Sequence, residues 1–135
     1  MLCDIGGSRA YVYTAGHAID PALPTVVFIH GGEQDHSTWA LQSRYFAYHG
    51  HNVLVPDLPG HGRSAGPALA AIPALADWIA ALLDSRKIGH AAVVGHSMGS
   101  LVALELAGGR PALVSKLALL GPAAPMPVAA PLLDA

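Results

Sequence analysis

Unbroken apolar runs alternate with helically periodic ones along most of this chain. Thr25-Val26-Val27-Phe28-Ile29 is a continuous β-branched and aromatic run ending at His30-Gly31-Gly32. Continuity of this kind, in place of in–out alternation, predicts a strand covered on both faces, as in a parallel sheet. Asn52 to Val55, His90 to Val94 and Ser115 to Leu120 read in the same way. Between them, Ser37 to His49 sets Trp39, Leu41, Tyr45, Phe46 and Tyr48 at roughly helical spacing and closes at Gly50. Residues 72–85 predict an amphipathic helix: Pro73 suits its first turn, and Leu75, Ile79, Leu82 and Leu83 follow the i, i+4, i+7, i+8 pattern. Ser100 to Leu106 predicts a further helix that stops at Gly108-Gly109. Near the start, residues 2–5 and 9–14 read as short strands around Gly6-Gly7, a hairpin signal. From Thr25 onward strand and helix alternate, which predicts an α/β protein with a mainly parallel sheet and right-handed crossovers.

Composition narrows the function more than the fold. With 135 residues the chain has the size of one domain. Only 12% of residues are charged, for a net of −2, and no basic stripe exists to neutralise phosphates; nucleic acid is not an expected partner. Leu117 to Leu133 carries no charge, yet Pro122, Pro125, Pro127 and Pro131 interrupt it, so no membrane span is expected there. Met1 to Gly6 lacks the basic start and apolar run of a signal peptide. A lone Cys3 offers no intrachain disulfide, and a reducing, cytoplasmic setting is the expectation. Neither a cofactor nor a metal is expected: no His-Glu-x-x-His or similar ligand spacing occurs, nor any dinucleotide or phosphate-binding glycine loop.

The chemistry gathers at Ser97. Gly95-His96-Ser97-Met98-Gly99 fits Gly-x-Ser-x-Gly and stands where a predicted strand turns into a predicted helix. Such a turn forces the serine into a strained backbone conformation, and flanking glycines let strand and helix approach closely. The hydroxyl then projects at the carboxyl end of the sheet, where open α/β folds bind ligands, and the helix start directs N–H groups at developing negative charge. Acyl transfer also needs two N–H donors for its oxyanion. Met98, the residue after the serine, supplies one, and the His30-Gly31-Gly32 loop after an earlier strand stands where the other belongs.

Three runs carry a family resemblance: Val27 to Gly32, Pro56-Asp57-Leu58-Pro59-Gly60-His61-Gly62-Arg63-Ser64, and Val94 to Gly99. They resemble α/β-hydrolase-fold esterases and their carbon–carbon-bond-hydrolysing and lyase relatives, in the family's order and over nearly the whole chain. The resemblance implies Ser97 as nucleophile and Gly32 and Met98 as oxyanion donors. His30, Gly31, Gly95, His96 and Gly99 then support the motif, and Asp57 and Arg63 are structural. It also implies a Ser, then Asp or Glu, then His order for the triad. After Ser97 this sequence has no histidine, and its later acids are Glu105, expected at the surface, and Asp134. His96 adjoins Ser97 but should diverge from it, and His30 is expected to hold the oxyanion loop. Residues 1–120 are thus expected to be the N-terminal portion of the core domain, truncated before the C-terminal strands and the cap, and 121–135 a Pro-rich segment leading toward that cap.

The expected activity is a serine hydrolase acting on a small ester, thioester or activated carbon–carbon bond, with a small acyl compound as substrate. A same-fold lyase or acyltransferase would display the same serine and donors. A non-catalytic remnant that binds or self-associates is the alternative from another class. An uncovered edge at Val114–Leu120 is expected to promote self-association.

Overall fold

The computed structural model describes residues 1–122; the expectation for 121–135 therefore lies, from residue 123 onward, outside the described residues. Six strands and three α-helices build it: β1 (Leu2–Ile5), β2 (Ser8–Tyr13), β3 (Thr25–Ile29), α1 (Ala40–Tyr48), β4 (Asn52–Pro56), α2 (Ile72–Ser85), β5 (Ala91–His96), α3 (Met98–Gly109) and β6 (Val114–Leu120). Short 3₁₀ turns precede α1 and β6. The strands form one sheet in the order β1-β2-β4-β3-β5-β6. The hairpin β1–β2 is antiparallel and joins β4 antiparallel, whereas β4, β3, β5 and β6 run parallel. All four parallel strands therefore deliver their carboxyl ends to one edge, and Ser97 lies there.

Helices cover both faces. On one, Leu75, Ile79, Leu82 and Leu83 of α2 and Val102, Ala103 and Leu106 of α3 pack with Val27, Ile29, Leu54 and Val93. On the other, Trp39 and Phe46 pack against Val26, Phe28, Val53 and Val55, with Phe28 and Trp39 ring centroids 5.1 Å apart. β3 and β4 are buried along their whole length, as continuous apolarity predicts.

Three readings need correction. β5 alternates between buried and half-buried positions, because Ala92, Val94 and His96 face the side that α1 covers only in part. β6 is exposed at most positions despite its apolar sequence, since among the described residues it pairs with β5 alone. The helix at α1 forms, but Leu41, Tyr45 and Tyr48 point outward; the inward contacts come from Trp39, Ser43 and Phe46. The boundaries around Ser97 also tighten. β5 continues through His96 and α3 starts at Met98, so one residue makes the whole turn. At its far end α3 runs through Gly109, where Arg110 N–H still reaches the Leu106 carbonyl.

Candidate active site

Ser97 has φ 54° and ψ −119°, a region that side chains rarely adopt and that costs about 1–3 kcal/mol. The surroundings over-determine that conformation. Its N–H donates to the Leu120 carbonyl at 2.9 Å, and its own carbonyl accepts from Ser100 N–H at 2.9 Å and from the Ser100 hydroxyl. Two glycines make the sharp turn sterically possible. A β-carbon at Gly95 would sit 2.5 Å from the Gly99 carbonyl carbon, and one at Gly99 would sit 2.5 Å from the His30 carbonyl oxygen. Side chains at either position would force α3 away from the sheet.

The loop after β3 closes over this turn. A β-carbon on Gly31 would meet Cβ of Ser97 at 3.3 Å, and one on Gly32 would meet Sδ of Met98 at 3.9 Å, so the loop lies directly against the serine and the helix start. Gly31 N–H is already engaged by Gln34 Oε1 at 2.8 Å. Among the described hydrogen bonds none engages Gly32 N–H. Met98 opens α3, and the first N–H groups of a helix have no intrahelical partner. Glu33, next in the loop, also has positive φ, at 59°.

Gln34 carries no motif signal, yet it joins the two halves of the site. Besides Gly31 it lies 3.3 Å from Nδ1 of His96, and His96 in turn meets Trp39 edge-on. The side chain of His96 thus turns toward Gln34 and Trp39. A loop glutamine with its partner 62 positions away is invisible to pattern reading.

His30 is fully buried and uses both ring nitrogens: Nδ1–H donates to the Gly31 carbonyl at 2.7 Å, and Nε2 accepts from Leu58 N–H at 3.0 Å. A carbonyl only accepts and an amide only donates, so these partners specify the neutral tautomer. Burial holds its pKa below the ordinary histidine value, outweighing the Gly31 hydrogen bond that acts upward. His30 is a brace between the glycine loop and the segment after β4. The unfolded chain therefore binds the His30 proton more readily, and its contribution to stability, complete above about pH 6.5, fades as pH falls. Denaturant melts should show stability falling from pH 7.5 to 5.5, by up to about 1.4 kcal/mol per unit for this one proton. His30→Gln should flatten that slope; an unchanged slope would place the effect in other histidines.

Asp57 is fully buried and serves as a structural acceptor. One oxygen takes His36 N–H at 2.7 Å and Nδ1 of His36 at 2.9 Å, and the other takes Arg63 N–H at 2.8 Å. The Arg63 guanidinium lies over the Tyr11 ring at 4.9 Å. Asp35, His36 and Asp57 could each point one ligand atom at a common cation, but Asp57 already takes three contacts from His36 and Arg63, which tie the cluster together as a clamp. His36 packs on Tyr11 and Tyr13 of β2, three strand spacings or about 14 Å across the sheet from β5. Glu105 is exposed on α3.

A family model described as the alpha/beta hydrolase fold matches residues 24–135. The chain belongs to this family. Its relatives within the alpha/beta hydrolases differ in chemistry. It is 41% identical over 124 residues to the dihydrolipoyllysine-residue acetyltransferase component of the acetoin cleaving system of Cupriavidus necator, spanning 90% of this chain and 32% of that protein. Lipase LipV of Mycobacterium tuberculosis is 49% identical over 71 residues, 53% of this chain and 27% of that protein. Among solved structures, epoxide hydrolase A from Mycobacterium thermoresistibile superposes with a TM-score of 0.76 at 30% identity, over 88% of this chain and 37% of that one. The chain thus spans about a third of the length of the curated relatives it matches. Hydrolase homology and the alpha/beta hydrolase fold are common ground. No helix among the described residues is long and apolar enough to cross a membrane.

Proposed function

We propose that this chain carries the nucleophile and oxyanion half of a serine hydrolase site that cleaves a small ester, thioester or activated carbon–carbon bond. The observation that carries the reading is the single-residue turn at Ser97, strained and pressed against the Gly31-Gly32 loop. Ser97 Oγ attacks the carbonyl carbon, its hydroxyl proton passing to a base or to water, and forms a tetrahedral intermediate. Its oxyanion rests on the N–H groups of Gly32 and Met98, the leaving group departs with a proton, and water later releases the acyl group as the acid and restores the Ser97 hydroxyl. His30, Gly31, Gly95, His96 and Gly99 shape this geometry without reacting. His30 and His36 are not assigned as general base in this reading, because His30 spends both ring nitrogens on Gly31 and Leu58 and His36 is engaged by Asp57 and the β2 tyrosines. A same-fold acyltransferase is the second reading, favoured by the 41% identity to an acetyltransferase component; there a second nucleophile replaces water.

A fluorophosphonate probe tests the assignment. Mass spectrometry after prolonged incubation should locate a slowly formed adduct on Ser97, and Ser97→Ala should abolish it while leaving the melting curve cooperative. Labelling on another serine would overturn the proposal.

A further inference from the structure

A cavity lies at the end of the sheet opposite Ser97, where β3, β4, β5 and β6 begin. Its volume is about 890 Å³, within the range of about 300–1,000 Å³ typical of small-molecule sites. Its charge is one-sided. Both lysines of the chain, Lys87 and Lys116, line it with Arg86, His51 and His90, and among the described residues no aspartate or glutamate does. This runs against the net charge of −2. Ile19, Phe46 and Ile88 add an apolar wall.

Three local features show that the lining is built at a cost. First, Nδ1 of His51 and Nε of Arg86 are buried there without a hydrogen-bond partner. Buried polar nitrogens are ordinarily satisfied, so two left unpaired in the wall of one cavity are a local cost. Second, α1 and α2 end in the same capping geometry with different residues. After α1, His51 N–H reaches the Phe46 carbonyl at 3.1 Å and the left-handed position is Gly50, φ 81°. After α2, Ile88 N–H reaches the Leu83 carbonyl at 3.0 Å, but the left-handed position is Lys87, φ 57°. Glycine suits that position without strain, so a lysine there accepts a conformational penalty to place a cation at the cavity. Third, the β5–β6 ladder slips: Ala91 pairs with Val114, yet Ala92 pairs with Lys116. In a regular strand consecutive side chains face opposite sides; the slip at Ser115 allows both Ser115 and Lys116 to line the cavity.

Cations near helix C-termini also offset the helix dipole. That accounts for Arg86 and Lys87, but not for Lys116 on a strand or for the two unpartnered nitrogens. We propose that this cavity binds an amphiphilic anion, one carboxylate or phosphate head on an apolar body. The head sits among Arg86, Lys87 and Lys116, and the body lies along Ile19, Phe46 and Ile88. The site is separate from Ser97 and stands whether or not Ser97 is a nucleophile.

Calorimetric titration with octanoate tests it, with octan-1-ol and octyltrimethylammonium as matched neutral and cationic probes. Octanoate should bind, and the other two should bind at least about tenfold more weakly, as expected when charge-assisted hydrogen bonds are lost. Lys116→Gln should weaken octanoate binding by a similar factor. Lys87→Gly is the decisive variant, because it relieves strain. It should raise Tm by about 3–5 °C while weakening octanoate about tenfold. Amide shifts on binding should centre on Asn52, Ile88 and Ala92. Equal binding of octan-1-ol, unchanged affinity in a stabilised Lys87→Gly, or shifts centred on Gly32 and Met98 would each overturn the proposal.

Discussion

Hydrolysis of p-nitrophenyl acetate by the 135-residue chain is expected to exceed the water reaction by no more than about 10³–10⁴-fold, the residual found when triad members are removed from serine hydrolases. An enzyme with a working base turns over at about 1–10³ s⁻¹. The expectation rests on where the histidines point. His30 spends both nitrogens on Gly31 and Leu58, His36 on Asp57 and the β2 tyrosines, and His96 is directed at Gln34 and Trp39. None follows Ser97 in the sequence. What remains in the proposed site is the strained serine with the N–H groups of Gly32 and Met98 as its proposed donors. Stopped-flow and steady-state assays should show slow turnover that Ser97→Ala lowers further. Turnover in the ordinary enzymatic range, lost in Ser97→Ala, would mean that an upstream histidine acts as base; His36→Ala and His96→Ala would then identify it.

The chain should self-associate at micromolar concentration, through β6. That strand uses one side to pair with β5, and Leu117, Ala118 and Leu120 are exposed on it. Lys116 is its sole charge, and a net of −2 adds little repulsion between copies. An apolar edge with free backbone groups is a template for pairing with a second copy. Light scattering should report a dimer or larger species. Ala118→Lys, at an exposed position of the strand, should shift the population toward monomer, since edge lysines discourage strand addition. A monodisperse unsubstituted monomer would sink this expectation.

Local pattern was enough where one physical constraint dominates. β3 is readable because a strand buried on both faces tolerates no polar alternation, and α2 because one face of a helix must be apolar at a 3.6-residue period. The Ser97 turn is readable because close approach of strand and helix admits only glycine at residues 95 and 99. At α1 the same reasoning identified a helix but not its inward face. Its aromatic residues are distributed around the helix, and the docking contacts come from Trp39, ahead of the helix, and from Phe46.

Partners distant in sequence leave no local trace. Gln34 meets His96 across 62 residues, His36 meets Asp57 across 21, and His30 meets Leu58 across 28. The exposure of β6, too, follows from its place at the end of the strand order, not from its own apolar residues. The sequence by itself determined the α/β class, the strand-to-helix turn and the serine at its apex, because those depend on hydrophobic period and on glycine. Only the tertiary structure decided which loop lies against the serine, which distant groups engage His30, His36 and His96, and where cations gather at the opposite end. Those depend on how strands are ordered and stacked, which no single stretch of sequence encodes.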